Sequence, residues 1–413
     1  MKKNSVFQIV LLCTFGALAV AGVLIFSFYI SKGTTSSIGS VTIWGTFDEI
    51  SIQRAIGTQM DITTDLQNAH YVQKDAKTYM SDLIDALASG TGPDLFFLTQ
   101  EEAYSETPRV SVLGADKVSQ SQFESTWVDG ALPFIGPGGA VGIPVLADPL
   151  VLYWNKDILA ASGFSQPPQY WDQLYDFAVR VTRKDDAGTV QVAAIPFGTY
   201  GNVDHAKEII STLILQANGS ITQRDQNSRL VSGLMAKQSQ NGQAAAVPSA
   251  LRFYTEYADP SKEDYTWNRS FPSSQKAFTS GQVALYIGYA SELSAIRQAN
   301  PNLNFAVAAM PQIRGVATAV DGGIVYGLAI PKNSKNPVGA YVIQNLLATP
   351  AMSLALSNEL GIPSARRDVL AQTAKGDALL LNKQVILMKS WTDPDPEKTD
   401  NIFRAMIEDT TSG

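Results

Sequence analysis

A charge-free apolar run over residues 9–30 divides this chain into two parts built for different solvents. At 1.5 Å per residue the run makes a helix of ~33 Å, matched to a bilayer core of ~30 Å. Lys2, Lys3 and the free amine precede it, and only Lys32 follows closely. Positive charge stays on the cytoplasmic side, so residues 1–8 are expected inside and the rest outside. Residues 9–30 read first as a retained transmembrane signal anchor. Two other readings fit the same residues. Ala17-Leu18-Ala19 and Ala19-Val20-Ala21 have the small-x-small form of a signal-peptide cleavage site, although cutting there leaves an apolar new terminus. Cys13 would carry acyl chains in a lipoprotein, although Leu12 stands where a small residue is usual. Residues 31–40 are small and polar and read as a flexible linker.

The exported part must therefore fold on its own, and composition limits how. Charged residues make up 17% of the 413, under the ~25% of an average soluble protein, and apolar residues make up 45%. Disorder is excluded for the bulk of such a chain, and its length allows two or three domains. The net charge of −7 argues against a nucleic-acid surface. One cysteine excludes an internal disulfide framework and any CxxC metal site. His70 and His205, the only histidines, read as ordinary polar residues. No cofactor and no metal are expected.

Val41-Thr42-Ile43-Trp44-Gly45 is a short β-rich run closed by glycine. Residues 47–60 begin acidic, which suits the positive end of a helix dipole, and then turn apolar at helical spacing. Tyr79, Leu83, Ile84 and Leu87 share a helix face, and Gly90 closes that helix. After Gly92-Pro93-Asp94, the run Leu95-Phe96-Phe97-Leu98 is wholly apolar, the form of a parallel strand buried on both faces. Strand and helix alternate, which predicts α/β layers. Residues 133–149, rich in Gly and Pro, mark a boundary between lobes. Residues 222–243 are polar and read as a surface loop or short helix pair. Residues 322–331 form another strand, and 337–348 and 351–360 form helices. The tail from 364 is helical around a loop at 392–396.

Several segments, in order, resemble the family 1 extracellular solute-binding proteins, the maltose-binding-protein-like receptors of ABC importers. Pro144-Val145-Leu146-Ala147-Asp148 with Val151-Leu152-Tyr153-Trp154-Asn155-Lys156-Asp157-Ile158-Leu159 is similar to the family's stretch ending YNKDLL. Pro167-Pro168-Gln169-Tyr170-Trp171-Asp172-Gln173-Leu174 resembles its P-x-T-W-x-E-L helix start. Leu215-Gln216-Ala217-Asn218-Gly219 resembles its QNGG turn. The segments 278–288, 322–333, 361–364 and 406–409 extend the likeness from residue 41 to the end. Trp154 stands where the family usually has Tyr, and Tyr170 where it has Thr.

The resemblance implies an α/β, two-lobed periplasmic-binding-protein-like fold with an interlobe ligand cleft. Lobe 1 is expected over 41–146 and 328–362, and lobe 2 over 147–327 and 363–413. It implies a monomeric receptor, not an enzyme, that delivers a small solute, a sugar before others, to ABC transporter permease subunits by lobe closure. A surface-anchored glycan hydrolase and a binding protein for a non-sugar solute remain as alternatives. No nucleic acid is expected as a partner.

Sugar recognition needs aromatic faces for C–H patches and planar polar groups for hydroxyls. Trp44 ends the first strand, where ligands gather in open α/β sheets, and Asp48 and Glu49 follow it. Gln100 follows the second apolar strand with Thr99 and Glu101. Asp148 is polar amid Gly and Pro. Trp154 and Tyr289 match family positions near ligand. Trp267 lies in the polar run Asp264-Tyr265-Thr266-Trp267-Asn268, hard to place in a core. Gly322 and Gly323 let backbone approach a ligand, and Trp391 precedes an exposed-looking loop. Trp171 reads as core. Arg366 and Arg367 read as a solvated helix end before an anion site. The motifs HExxH, GxSxG, GxGxxG and the phosphate loop are all missing from the sequence.

Overall fold

The structure is a computed structural model that describes residues 38–234 and 246–412. The segment read as a membrane anchor, Cys13 included, lies outside the described residues. Among those described, no single helix is long and apolar enough to cross a membrane.

Strand β1 (Val41–Gly45) leads into helix α1 (Glu49–Met60), whose first turn is capped by Asp48 accepting the Ser51 N–H at 2.9 Å. Strand β2 (Ala69–Gln73), helix α2 (Tyr79–Ser89) and strand β3 (Leu95–Thr99) follow. Gly90 ends α2 at φ 71°, a left-handed cap that favours glycine. β1 lies parallel between β2 and β3. The apolar run of β3 is buried on both faces for a visible reason. Phe96 and Leu98 pack with Leu83 and Leu87 of α2, while Leu95 and Phe97 pack with Ile52 and Ile56 of α1.

The long strand β4 (Ile143–Asn155) is buried along its whole length. Helix α3 (Ala206–Gln216), strands β5 (Leu285–Tyr289) and β6 (Phe305–Ala308) and strand β7 (Gly323–Ala329) complete the frame. β7 lies antiparallel between β3 and the first half of β4, and β5 and β6 flank the second half. The sheet order is β5-β4-β7-β3-β1-β2, with β6 also on β4. Val145 to Ala147 of β4 belong to the cores on the two faces of the first sheet half. Leu150 to Trp154 belong to a second core, with Trp171, Phe197, Tyr254 and Trp267. The chain thus passes from one lobe's core to the other within a few residues of Pro149. Ser364 bridges Leu146 and the Ala147 N–H donates to the Pro363 carbonyl, a further crossing beside it.

Helices α4 (Pro337–Leu347) and α5 (Pro350–Leu360) stack on the first lobe, each with proline in its first turn. Helices α6 (Asp377–Leu387) and α7 (Pro396–Ser412) form the tail. The polar region from residue 222 departs from a loop or helix pair. Thr222–Arg224 and Leu230–Ser232 form a two-stranded hairpin. Asp225 turns it by accepting the N–H groups of Asn227 and Arg229, a side-chain-built turn that outcompetes helix. Residues 235–245 lie outside the described residues.

Candidate ligand-binding cleft

Between the two cores lies a narrow cleft whose walls come from three places. Gln100, just past β3, donates its side-chain amide to the Gly323 carbonyl at 3.1 Å and accepts the Val325 N–H at 2.6 Å. This clamps the loop after β3 to the start of β7 and sets Glu101 at the cleft. The facing wall is the first two turns of α3, with Glu208, Ser211 and Thr212. The third is the stretch from Lys389 to Trp391. Glycine is required where these walls meet. A Cβ on Gly322 would lie 2.0 Å from the Thr212 hydroxyl, and one on Gly323, at φ 154°, 2.4 Å from the Asp148 carbonyl.

The lobes are shut on each other. The enclosed space is about 20 Å³, room for roughly one water. Past Leu215, Ser390 and Trp391 the cleft opens into a second compartment of about 310 Å³, bounded by Leu132, Pro133 and Arg224.

Charge closes the inner part. The Lys207 ammonium, 5% exposed, lies 2.9 Å from Asp393 and 3.4 Å from Glu101, with the Trp391 ring 5.5 Å away. Burial alone would lower its pKa, but Glu101 and Asp393 outweigh that and hold it above its ordinary value. Burial and the neighbouring Glu208 lift Glu101 above the usual carboxylate range, against the pull of Lys207. Asp393 is fully buried and also accepts the Thr399 hydroxyl at 2.7 Å.

Two buried hydroxyls at this cleft have no protein partner among the described residues: Ser211 Oγ, on the cleft wall, and Tyr289 OH. Burial first, then Glu208 and Glu101, push the Tyr289 phenol well above its ordinary value, so it stays a neutral donor. Its ring lies 4.2 Å from that of His205, which holds φ 60° at the start of α3. His205 pairs with Glu292 at 2.6 Å, and Glu292 also accepts the Tyr286 hydroxyl at 2.6 Å. Asp148, fully buried behind this group, accepts the Ser291 N–H at 3.0 Å with one oxygen and leaves the other without a partner. Burial pushes its pKa up to about 7.

The bacterial extracellular solute-binding protein family matches residues 71–352. The chain belongs to that family. A binding protein of Brucella abortus (strain 2308) is 23% identical over 274 residues, 65% of this chain and 61% of the Brucella protein. The chain thus spans less than two thirds of that relative. Among solved structures, a cyclo/maltodextrin-binding protein complexed with maltotetraose is 16% identical with TM-score 0.67, covering 91% of this chain and 94% of the other. An ABC transporter solute-binding protein from Thermotoga lettingae TMO, bound with α-D-tagatose, is 19% identical with TM-score 0.65, covering 91% and 95%. The fold is the two-lobed periplasmic-binding-protein-like α/β fold.

In this solute-binding protein four residues singled out from sequence meet at the cleft: Gln100, Gly322, Gly323 and Trp391. Tyr289 and Asp148 stand directly behind them. Trp44, Asp48 and Glu49 do not line the enclosed cavity. Lys74 lies 3.6 Å over the Trp44 ring, Asp48 caps α1, and Glu49 donates its N–H to the Gln73 side chain. Trp154 sits at the far end of β4, in a separate groove of about 430 Å³ beside Tyr170 and Pro167. Trp267 is a core residue. It is fully buried, stacked on Phe271 at 4.4 Å, and its indole N–H donates to the Thr199 hydroxyl at 3.0 Å. The polar letters around it cover a strong apolar anchor. Lys207, Glu208, Ser211 and Asp393 are the residues that sequence reading missed. The available signal was the polar set Lys207, Glu208, Ser211 and Thr212, at three- and four-residue spacing, on a helix whose remaining residues include Ile209, Ile210, Leu213 and Ile214.

Proposed function

We propose that this protein is an extracytoplasmic receptor that binds a carbohydrate in the interlobe cleft and presents it to an ABC importer. The observation that carries this reading is the buried, unpartnered Ser211 Oγ on the cleft wall that the Trp391 ring also lines, with the unpartnered Tyr289 OH behind it. A buried hydroxyl without a partner costs ~1–3 kcal/mol, a cost that a polyhydroxylated ligand removes. An aromatic face beside such donors suits a sugar ring. The neighbouring structures, with maltotetraose and tagatose bound, support the same class. A ligand must first part the two walls, since the space between them is about 20 Å³, and it then stabilises the arrangement in which both walls hold it, a population shift that a permease reads. Residues 9–30 tether the receptor to the membrane. The protein binds and releases without turnover.

The test is calorimetric titration of the full-length chain with maltotriose, tagatose, a polyamine and inorganic phosphate. A sugar is expected to bind, and Trp391→Ala to weaken it by about 10- to 100-fold, the loss of one good aromatic platform. Binding confined to the polyamine or phosphate overturns the sugar assignment. Sugar fragments released on incubation with maltotriose overturn the non-enzyme reading.

A further inference from the structure

Three carboxylates crowd the closed cleft: Glu101, Glu208 and Asp393. Lys207 is the one buried cation among them, and Lys389 is exposed at the rim. Asp393 is matched by Lys207 at 2.9 Å. Glu101 has only the weaker 3.4 Å contact, and among the described residues Glu208 forms no ion pair. The arrangement around the Lys207 ammonium, two carboxylates and a tryptophan ring, is the environment that recognises a cationic nitrogen. Lys207 shows that a primary ammonium is tolerated at this depth, and Glu208 is a carboxylate left for a second one. The buried Ser211 hydroxyl on the cleft wall, without a protein partner among the described residues, points to a ligand at the same place.

We propose that the cleft selects a saccharide bearing a free amine, an amino sugar in its ammonium form, with Glu208 and Glu101 as the specificity-determining residues. This rests on the reading of the cleft as the saccharide site. A neutral sugar would satisfy Ser211 but would bring no ammonium to Glu208, which forms no ion pair of its own among the described residues. An ammonium beside Glu208 and Glu101 removes that imbalance. It also draws Glu101, held above the usual carboxylate range by burial and Glu208, back toward its ionised form, so binding near neutral pH releases a proton to solvent.

The experiment is calorimetric titration of the full-length chain with three probes: the β-1,4-linked glucosamine trisaccharide, its N-acetylated counterpart, and maltotriose. Titrations at about pH 6.5, where an amine of ordinary pKa ~7.7 is charged, are repeated at about pH 9. The free-amine sugar is expected to bind about 10-fold or more tightly than the acetylated one at the lower pH, as a charge-assisted hydrogen bond gives. It is expected to lose that advantage at the higher pH. Its heat should vary with the ionisation enthalpy of the buffer, reporting proton release, while maltotriose heat should not. Glu208→Gln should reduce the preference of the free-amine sugar over the acetylated one to under about 3-fold. Equal or tighter binding of the acetylated or neutral sugar overturns the amine preference and leaves the receptor reading standing. No binding of any of the three overturns both.

Discussion

Two buried carboxylates, Asp393 and Asp148, are both fully excluded from solvent, yet the molecule treats them in opposite ways. Asp393 lies on the cleft side and meets an ammonium, a hydroxyl and a backbone N–H. Asp148 lies where β4 passes between the cores and meets a single N–H, that of Ser291. The first has partners that replace water on both of its oxygens. The second is driven toward neutrality by burial. The contrast separates a mobile contact from a fixed one. The Lys207 ammonium beside Asp393 also reaches Glu101 across the cleft at 3.4 Å, a contact that water or ligand replaces when the lobes part. A neutral group among crossing strands keeps its single bond and stays dry in either state.

Removing the ammonium should break the comparison most strongly. Lys207→Met keeps much of the volume and leaves Asp393 buried without its cation. Breaking one partner of such a pair costs roughly 3–5 kcal/mol, and denaturant unfolding at fixed pH should show a loss of that order. The Lys207→Met, Asp393→Asn double variant should recover a large part of it, since the orphaned charge is gone. A single variant within about 0.5 kcal/mol of the parent would mean that the Lys207–Asp393 contact does not stabilise the fold.

The second test is pH, and its sign is fixed by Asp148. Its pKa rises from 3.8 unfolded to about 7 folded. The folded state therefore holds a proton that the unfolded state has lost, and stability falls as pH climbs across that window. His205 acts in the same direction. Glu292 outweighs burial and raises its pKa, so the benefit of that pair is full below 6.5 and lost as pH rises through the folded value. Glu292 itself, lowered by His205, loses its contribution only as pH falls below its ordinary 4.5. Between about pH 5 and pH 7 the parent should lose roughly 2–3 kcal/mol relative to Asp148→Asn, which cannot ionise. Parallel pH profiles for the two would show that Asp148 is charged in the fold.

How far these features were legible in the sequence follows from distance along the chain. Strand β3 was legible because four consecutive apolar residues have one explanation, burial on both faces. The cap at Gly90 was legible because it is settled by its own few residues, whereas Asp48, read as a ligand contact, caps α1 instead. Gln100, Gly322, Gly323 and Trp391 were reachable because each follows or begins an element whose position was already clear. Lys207 and Asp393 were not. They are 186 positions apart, and nothing local in Thr392-Asp393-Pro394 distinguishes a solvated turn from the buried partner of a lysine. Trp267 was open to misreading for the same reason. A tryptophan beside polar letters looks exposed until the packing partner is known, and Phe271 and Thr199 supply it for Trp267.

The smallest effect separates core from cleft directly. Trp267→Phe keeps an aromatic ring to stack on Phe271 but removes the indole N–H that Thr199 and, at 3.3 Å, Asn202 accept. Thr199 still donates its hydroxyl to Asn202 at 2.6 Å, so the loss is partial. A stability decrease of about 0.5–1.5 kcal/mol is expected from the missing hydrogen bond, with a further small share from the volume removed. Saccharide affinity should stay within about 2-fold of the parent, because no atom of Trp267 reaches solvent in the closed protein. The matched Trp391→Ala change should do the reverse, with affinity falling far more than stability, since its half-buried ring borders both compartments of the cleft. An affinity loss at Trp267 comparable to that at Trp391 would place both rings on the ligand and would require the second lobe's core to open during binding.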